Sequence, residues 1–323
     1  MRVVLDVMKR TYSFYHHYLR EIPTSLNESR GPLDYFIWSD CLFGISIDHP
    51  SHRIRFDRDL ILMFDYGGKL GVQYNAAFIC WWALMNLRRY HHLSETRGLD
   101  CFTRQVQWLL SHQNTGKEGA IVWHYDFDWH EGRTLLKAPW VSAMSQGLAM
   151  SCLVRAYRLQ GNKEFLNIAH RASKVFEIGI EEGGVRTVED GNVFYEEYPA
   201  YPLVRILDGF VFGLLGLYDL YEETQNAHIK RLFDEGIGGV RSWLGRWNYH
   251  DVWSRYGNHP MLSPPDYNKL NAVLMGALYH ITRQPCFRQV RNAWDYKQKG
   301  MLGKTKTLLF ILLGRIAHRR PAL

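Results

Sequence analysis

From Asn75 to Leu93, and again from Cys101 to His112, apolar residues return every three or four positions, the spacing of one helix face, and a short polar stretch separates the two segments. That is the pattern of a helical hairpin. The same unit recurs at 142–159 with 163–180, at 204–222 with 226–245 and at 268–283 with 285–297. Lys163-Glu164-Phe165 after Gly161-Asn162, and Asn226-Ala227-His228 after Glu222-Glu223-Thr224, read as turns inside two of the pairs, and longer connections separate one pair from the next. Ahead of the hairpins the period changes. In Leu33–Trp38 and Arg53–Asp57 apolar and polar residues roughly alternate, as in half-buried strands. The pattern predicts a mainly α protein, an incomplete α/α toroid of about four helical hairpins preceded by a small β-rich N-terminal region, with an open solenoid as the rival arrangement. The expected division is an arm with a β-hairpin or small sheet over 1–70, an α/α-barrel catalytic domain over 71–300 and a basic, apolar tail over 301–323. In a toroid the loops after alternate helices gather over one end of the ring, which is where the 194–199 and 247–267 segments are expected to meet.

Composition narrows the class. With 323 residues and 46% hydrophobic content, the chain can bury a large core and is not disordered. Its 11 Trp and 19 Tyr offer flat faces on which sugar rings pack, although cores use such residues equally. A formal net charge of +7 favours an acidic partner. No zinc finger, basic helix or RNP-type motif accompanies that charge, so nucleic acid is not expected and acidic polysaccharide or anionic lipid fits better. Cys41, Cys80, Cys101, Cys152 and Cys286 are odd in number and widely spaced, the pattern of reduced thiols rather than of disulfides or a zinc site. His91 and His92 are adjacent, not spaced to place two ligands on one helix face, and no metal is expected. Met1–Arg20 has no continuous apolar stretch of the signal-peptide kind, which predicts a cytoplasmic protein. The apolar run Leu308–Leu313, set between basic residues, is too short to span a bilayer. Packing against the body or a second subunit, as in a homodimer, is the first expectation for it; peripheral contact with the inner face of the membrane is the alternative.

The candidate chemistry centres on Phe194-Tyr195-Glu196-Glu197-Tyr198-Pro199, which sets two carboxylates between two phenols just before a proline. Successive side chains of an extended run face opposite ways, so Glu196 points away from Glu197 and reads as structural. Trp123–Trp129, which includes Tyr125, and the nearby Trp140 can form a sugar platform. Gln146 and Asn75 fall on hairpin helices that line a ring interior, where buried amides need partners and substrate hydroxyls are one possibility.

Taken in order, three blocks resemble the D-glucuronyl C5-epimerase family: Trp140–Gly147 followed by Leu153–Tyr157, the block around Glu197, and Asp208–Tyr221. The resemblance extends more thinly to Gln73–Asn75 and Asp266–Asn271, and covers roughly residues 70 to 300. It implies a toroid of helical hairpins that inverts C5 of glucuronate residues in an acidic, heparosan-like polysaccharide, with no cofactor. Inversion removes a proton α to a carboxylate and returns one to the opposite face. It therefore needs two proton-transfer groups and a cation or donors for the developing charge. The resemblance assigns Glu197 as base or acid on one face, Tyr198 as a neighbouring proton donor, Tyr267 as the second acid/base and Arg255 as the carboxylate partner. Both histidines of the family's signature after Tyr267 are replaced, by Asn268 and Asn271, and the family's tyrosine three positions before Arg255 is Val252, leaving Trp253 or Tyr256 to stand in. Tyr195, Tyr256, Trp253, Gln146, Asn75, Tyr125 and Trp140 complete the expected substrate-binding set. The competing readings are a uronate lyase, a glucuronide hydrolase pairing Glu197 with Asp126 or Asp128, and a non-catalytic polysaccharide-binding protein.

Overall fold

The computed structural model describes residues 53–258, 261–296 and 299–317. The strand expected at 33–38, Cys41, the 1–20 segment, the side chain of His92 and the end of the basic tail lie outside them. The described residues fall into two compact units, one within 53–242 and one within 243–317.

The first unit opens with an antiparallel sheet of β1 (Ile54–Phe56), β2 (Leu62–Asp65) and β3 (Val72–Gln73), in which Arg55 pairs with Met63 and Phe64 with Gln73. The alternation at 53–57 marked the first strand. The other two escaped the pattern, because Leu62–Asp65 is apolar at three successive positions and Val72–Gln73 is too short to show a period. Three helix pairs follow: α1 (Ala76–Leu93) with α2 (Thr96–Ser111), α3 (Ala143–Gln160) with α4 (Glu164–Ser173), and α5 (Leu207–Thr224) with α6 (Ala227–Trp247). The long connections between pairs are not plain loops. They carry two-stranded hairpins: β4 (Asn114–Thr115) with β5 (Ile121–Val122), β6 (Trp129–Glu131) with β7 (Thr134–Leu136), and β8 (Arg186–Glu189) with β9 (Asn192–Tyr195). The helix expected to run to 180 stops at Ser173 and continues as short 3₁₀ turns. Gly184 explains the stop, since a Cβ there would lie 2.1 Å from the Ile178 carbonyl oxygen and only glycine lets the chain fold back on itself.

Helices α3 and α5 are buried along most of their length, as expected for helices apolar on nearly every face. Their backbones touch: a Cβ on Gly147 would stand 2.2 Å from the Phe212 carbonyl oxygen, and one on Gly216 2.1 Å from that of Gly147. An ion pair between Arg155 Nη1 and the fully buried Asp219 Oδ2, at 2.6 Å, ties the same helices. Gly147→Ala is expected to destabilise the protein by on the order of 3 kcal/mol, because backbone cannot move aside as a side chain can. Urea unfolding followed by circular dichroism checks this; a loss below about 1 kcal/mol would mean the two helices separate easily.

The second unit holds the end of α6 from Trp243, a hairpin of β10 (Asn248–Tyr249) and β11 (Trp253–Ser254), the pair α7 (Pro265–Thr282) and α8 (Pro285–Trp294), and α9 (Met301–Ala317). The apolar run of the tail is thus a helix, and its Ile311 is buried against Tyr249, Val252 and Trp253 of the same unit. Leu309 and Leu313 stay half exposed on its other side.

Candidate active site

The segment carrying Glu197 is fixed through Glu196. The Glu196 N–H donates to the Val185 carbonyl at 2.8 Å, and its carbonyl accepts from the N–H of Ala143 at the start of α3, at 3.0 Å. Its carboxylate is buried against Arg205, which forms an ion pair with it, and accepts from Thr187 Oγ1 at 2.6 Å. Arg205 also donates to Glu189 Oε2 at 2.9 Å and lies 3.9 Å from the centre of the Phe194 ring. With Glu196 held on that side, the extended chain sends Glu197 the other way.

Glu197 comes to rest on the first turn of α5. A Cβ on Gly209 would fall 2.1 Å from Glu197 Oε2 and 2.5 Å from its Cβ, so the side chain occupies the space that glycine leaves. Asp208, the residue before, is 2% exposed and Glu197 9%. Glu197 Oε2 and Asp208 Oδ1 are buried without a hydrogen-bond partner. Two carboxyls so placed cannot both ionise cheaply. Burial, followed by the repulsion of Asp208, pushes Glu197 well above the usual carboxylate range, and the hydrogen bond from Tyr198 only partly offsets this. Burial likewise pushes Asp208 up to about 7. Glu131, on β6, adds repulsion to both and is itself raised by burial.

An aromatic cluster lies beside Glu197, with Tyr198 hydrogen-bonded to it and Tyr125 close enough to feel its charge. Tyr125 and Trp140 stack with centroids 4.1 Å apart, held by main-chain hydrogen bonds in both directions between the two residues. Tyr198 is tilted against Trp140 at 5.9 Å, and Phe127 and Trp129 join through Tyr66 at 5.0 and 5.4 Å. Asn75 caps α1 by accepting from the Phe78 N–H, accepts from the Tyr125 hydroxyl at 3.1 Å and donates to that of Tyr66 at 2.7 Å. The first unit therefore gathers Asn75, Tyr125, Trp140, Glu197 and Tyr198.

Other expected residues are engaged elsewhere. Gln146 is fully buried, with its carbonyl accepting from the Trp123 N–H and its amide donating to Ile121 O at 2.8 Å, so it ties the start of α3 to β5. The Tyr195 hydroxyl donates to Leu232 O of α6 at 2.8 Å. Asp128 is an exposed partner of Lys137, which holds its carboxyl below the usual range, and Asp126 lies on the surface. In the second unit, Arg255 places its guanidinium 5.1 Å from the Tyr249 ring, and Tyr256 meets Tyr267 edge to face at 5.3 Å. Trp253 is fully buried and donates to Ser263 O.

The D-glucuronyl C5-epimerase C-terminus family matches over residues 117–296, more than half of the chain. The chain belongs to that family. It is 30% identical over 211 residues to D-glucuronyl C5-epimerase of Caenorhabditis elegans, covering 60% of this chain and 34% of that protein. It is 26% identical over 183 residues to an uncharacterised protein of Methanocaldococcus jannaschii, covering 54% and 57%. The match thus spans about a third of one curated relative and just over half of the other. Among solved structures, the GH76 alpha-mannanase of Bacteroides thetaiotaomicron superposes with a TM-score of 0.51 over 95% of each chain at 11% identity, a likeness of fold alone. The hairpin architecture and that likeness establish the mainly α, α/α-toroid class.

Within the epimerase family frame, the asparagines that replace the two signature histidines are structural here. Asn268 accepts from the Ser254 N–H at 2.7 Å and donates to Trp294 O at 3.0 Å, and Asn271 donates to Ser254 Oγ at 3.1 Å. Together they fasten β11 to α7 and α8. Sequence reasoning missed Asp208, Glu131 and Tyr66. An acid in the first turn of a helix reads as an ordinary complement to the helix dipole; the signal available was a single carboxylate, followed by glycine, at the head of an otherwise apolar run.

The acidic pair also predicts a pH dependence. Both carboxyls hold their protons to higher pH when folded than when unfolded, where they titrate near about 4. The native state therefore binds more protons, and stability falls as pH rises from about 4 through the folded value of about 7 for Asp208. Asp208→Asn removes that contribution and relieves Glu197. Urea unfolding at pH 5 and pH 8 is expected to show a smaller loss in the variant than in the wild type; equal losses would mean that Asp208 is not raised by burial.

Proposed function

We propose that this protein epimerises glucuronate residues of an acidic, heparosan-like polysaccharide at C5, with Glu197 exchanging the proton on one face of the sugar. The observation that supports this most is the buried Glu197–Asp208 pair, with an aromatic cluster beside Glu197, in a chain of an epimerase family. A proton α to a carboxylate is weakly acidic, so its acceptor must be a stronger base than an ordinary carboxylate. Burial and a neighbouring acid make Glu197 one. Near neutral pH Glu197 and Asp208 share a proton, so the pair can present base and acid in turn. Tyr198 stabilises the charged form of Glu197 by its hydrogen bond. Stacked Tyr125 and Trp140 offer a face for the ring, and Asn75 fixes the Tyr125 phenol. For Tyr267 and Arg255, the proposed roles of second proton-transfer group and carboxylate partner rest on the family's motif.

A second reading has an observation of its own. Two neighbouring carboxyls with raised proton affinity also suit glycosidic hydrolysis, in which one protonates the leaving oxygen and the other activates water or attacks C1. It differs from the hydrolase expected from sequence in its partner for Glu197, which is Asp208 rather than Asp126 or Asp128.

Proton NMR of a heparosan-type polymer incubated with the protein in heavy water separates the readings. Epimerisation predicts loss of the C5 proton with new iduronate signals; free glucuronate with no C5 exchange would replace that reading by hydrolysis. Glu197→Gln is expected to lower the exchange rate by about 10²–10⁴-fold, the usual range for removing a general base. Exchange at the wild-type rate in that variant would remove Glu197 from the mechanism.

A further inference from the structure

A pocket of about 340 Å³ opens in the first unit, separate from the acidic pair. Its walls come from the end of β3 and the residue after it (Gln73, Tyr74), the last turn of α2 and its C-cap (Trp108, His112), the next residue and the start of β4 (Gln113, Asn114) and the chain after β5 (His124, Asp126, Phe127). The volume sits at the low end of the range of about 300–1,000 Å³ typical of small-molecule sites, room for roughly one or two sugar rings.

The lining has two characters. One wall is aromatic: Trp108 and His112 stack with centroids 4.5 Å apart at 13°, and Tyr74 lies 5.5 and 6.0 Å from them. The Tyr74 hydroxyl donates to Asp57 Oδ2 at 2.7 Å, which sets its ring, and His112 Nδ1 is engaged with Trp108 O and Ser111 Oγ, which leaves its Nε2 edge. The other wall is polar and nearly uncharged. Gln113 Oε1 and Trp108 Nε1 are a buried acceptor and a buried donor without partners. His124 is held below the usual histidine range by burial and so is neutral at pH 7. Among the described residues that line the pocket none is Lys or Arg, and Asp126 is the one carboxylate.

Each feature selects against an anion and for a hydroxylated ring. Flat rings pack against sugar C–H groups. Amides, and a neutral imidazole such as that of His124, both give and accept hydrogen bonds, as hydroxyls do. Asp126 repels a uronate or a sulfate, in a chain whose overall charge attracts them. Phe127 joins this pocket to the other site, since it lines the pocket and also meets Tyr125 and Trp140 at 5.8 and 6.3 Å. We infer that the pocket is a subsite for a neutral sugar residue, the neighbour in the polymer of the uronate held beside Glu197. The placement of that neighbour rests on the proposed function; the neutral-sugar preference does not.

Saturation-transfer NMR on the whole protein tests it, with methyl glucoside and methyl N-acetylglucosaminide as neutral probes and methyl glucuronide as the anionic one. Transfer to at least one neutral glycoside is expected to exceed that to the glucuronide severalfold and to fall to background in His112→Ala and in Asn114→Ala. Both positions are exposed, and retained circular dichroism shows that each variant folds. Asp126→Lys is expected to reverse the preference. No transfer to either neutral glycoside, or transfer that survives His112→Ala and Asn114→Ala together, overturns the subsite. Neutral-sugar binding with no C5 exchange on any polymer sustains the subsite and removes the epimerase reading, so the two fail separately.

Discussion

The contact on which the candidate site depends is the buried ion pair between Arg205 and Glu196. Removing either partner would strand a charge 2 or 3% exposed to solvent, a loss of the order of 3–5 kcal/mol for pairs of this kind. Arg205 reaches its position with a left-handed backbone, φ 52°, a conformation that costs a non-glycine residue energy and persists only where the surroundings enforce it. Three acceptors and one aromatic face do so here: Glu196, Glu189, Thr187 and the Phe194 ring. Since neighbouring side chains of an extended segment point to opposite sides, fixing Glu196 also fixes Glu197. The first glutamate anchors the segment, and the second is left facing the first turn of α5.

What the second glutamate meets follows from packing. Helix α5 is apolar enough to be buried nearly throughout, and its contact with α3 is close enough to need glycine on both sides. In the first turn of α5, Gly209 leaves the space that the Glu197 carboxyl occupies, and Asp208 is its neighbour in the chain. The hydrophobic effect that buries α5 thereby raises the proton affinity of both acids. Folding stability is reduced at neutral pH by the same arrangement that makes Glu197 a stronger base, a trade common at functional sites.

The hairpins were legible because helices buried on one side must repeat their apolar residues at helical spacing, and each of the four predicted pairs is present, although the helix expected to reach 180 ends at Ser173. The small β-hairpins between pairs were not, since strands of two to four residues are too short to display a period. In the site, the opposite facing of Glu196 and Glu197 could be read from backbone geometry alone. The tasks of Gln146 and Tyr195 could not: a buried amide or phenol announces that it needs a partner, but only the folded chain shows the partners to be the backbones at Ile121 and Leu232. Asp208 was hidden for the converse reason, because a common local role accounts for an acid at a helix start until the fold brings a second acid to it.

Glu197 and Asp208 form one buried acidic unit that still holds a proton at neutral pH. Carbon-13 NMR of the side-chain carboxyls, assigned with Glu197→Gln and Asp208→Asn and followed from pH 3 to pH 9, tests it directly. Both resonances are expected to titrate well above the ordinary carboxylate range, and that of Glu197 to move down when Asp208 is neutralised. Two independent titrations near pH 4 would contradict it.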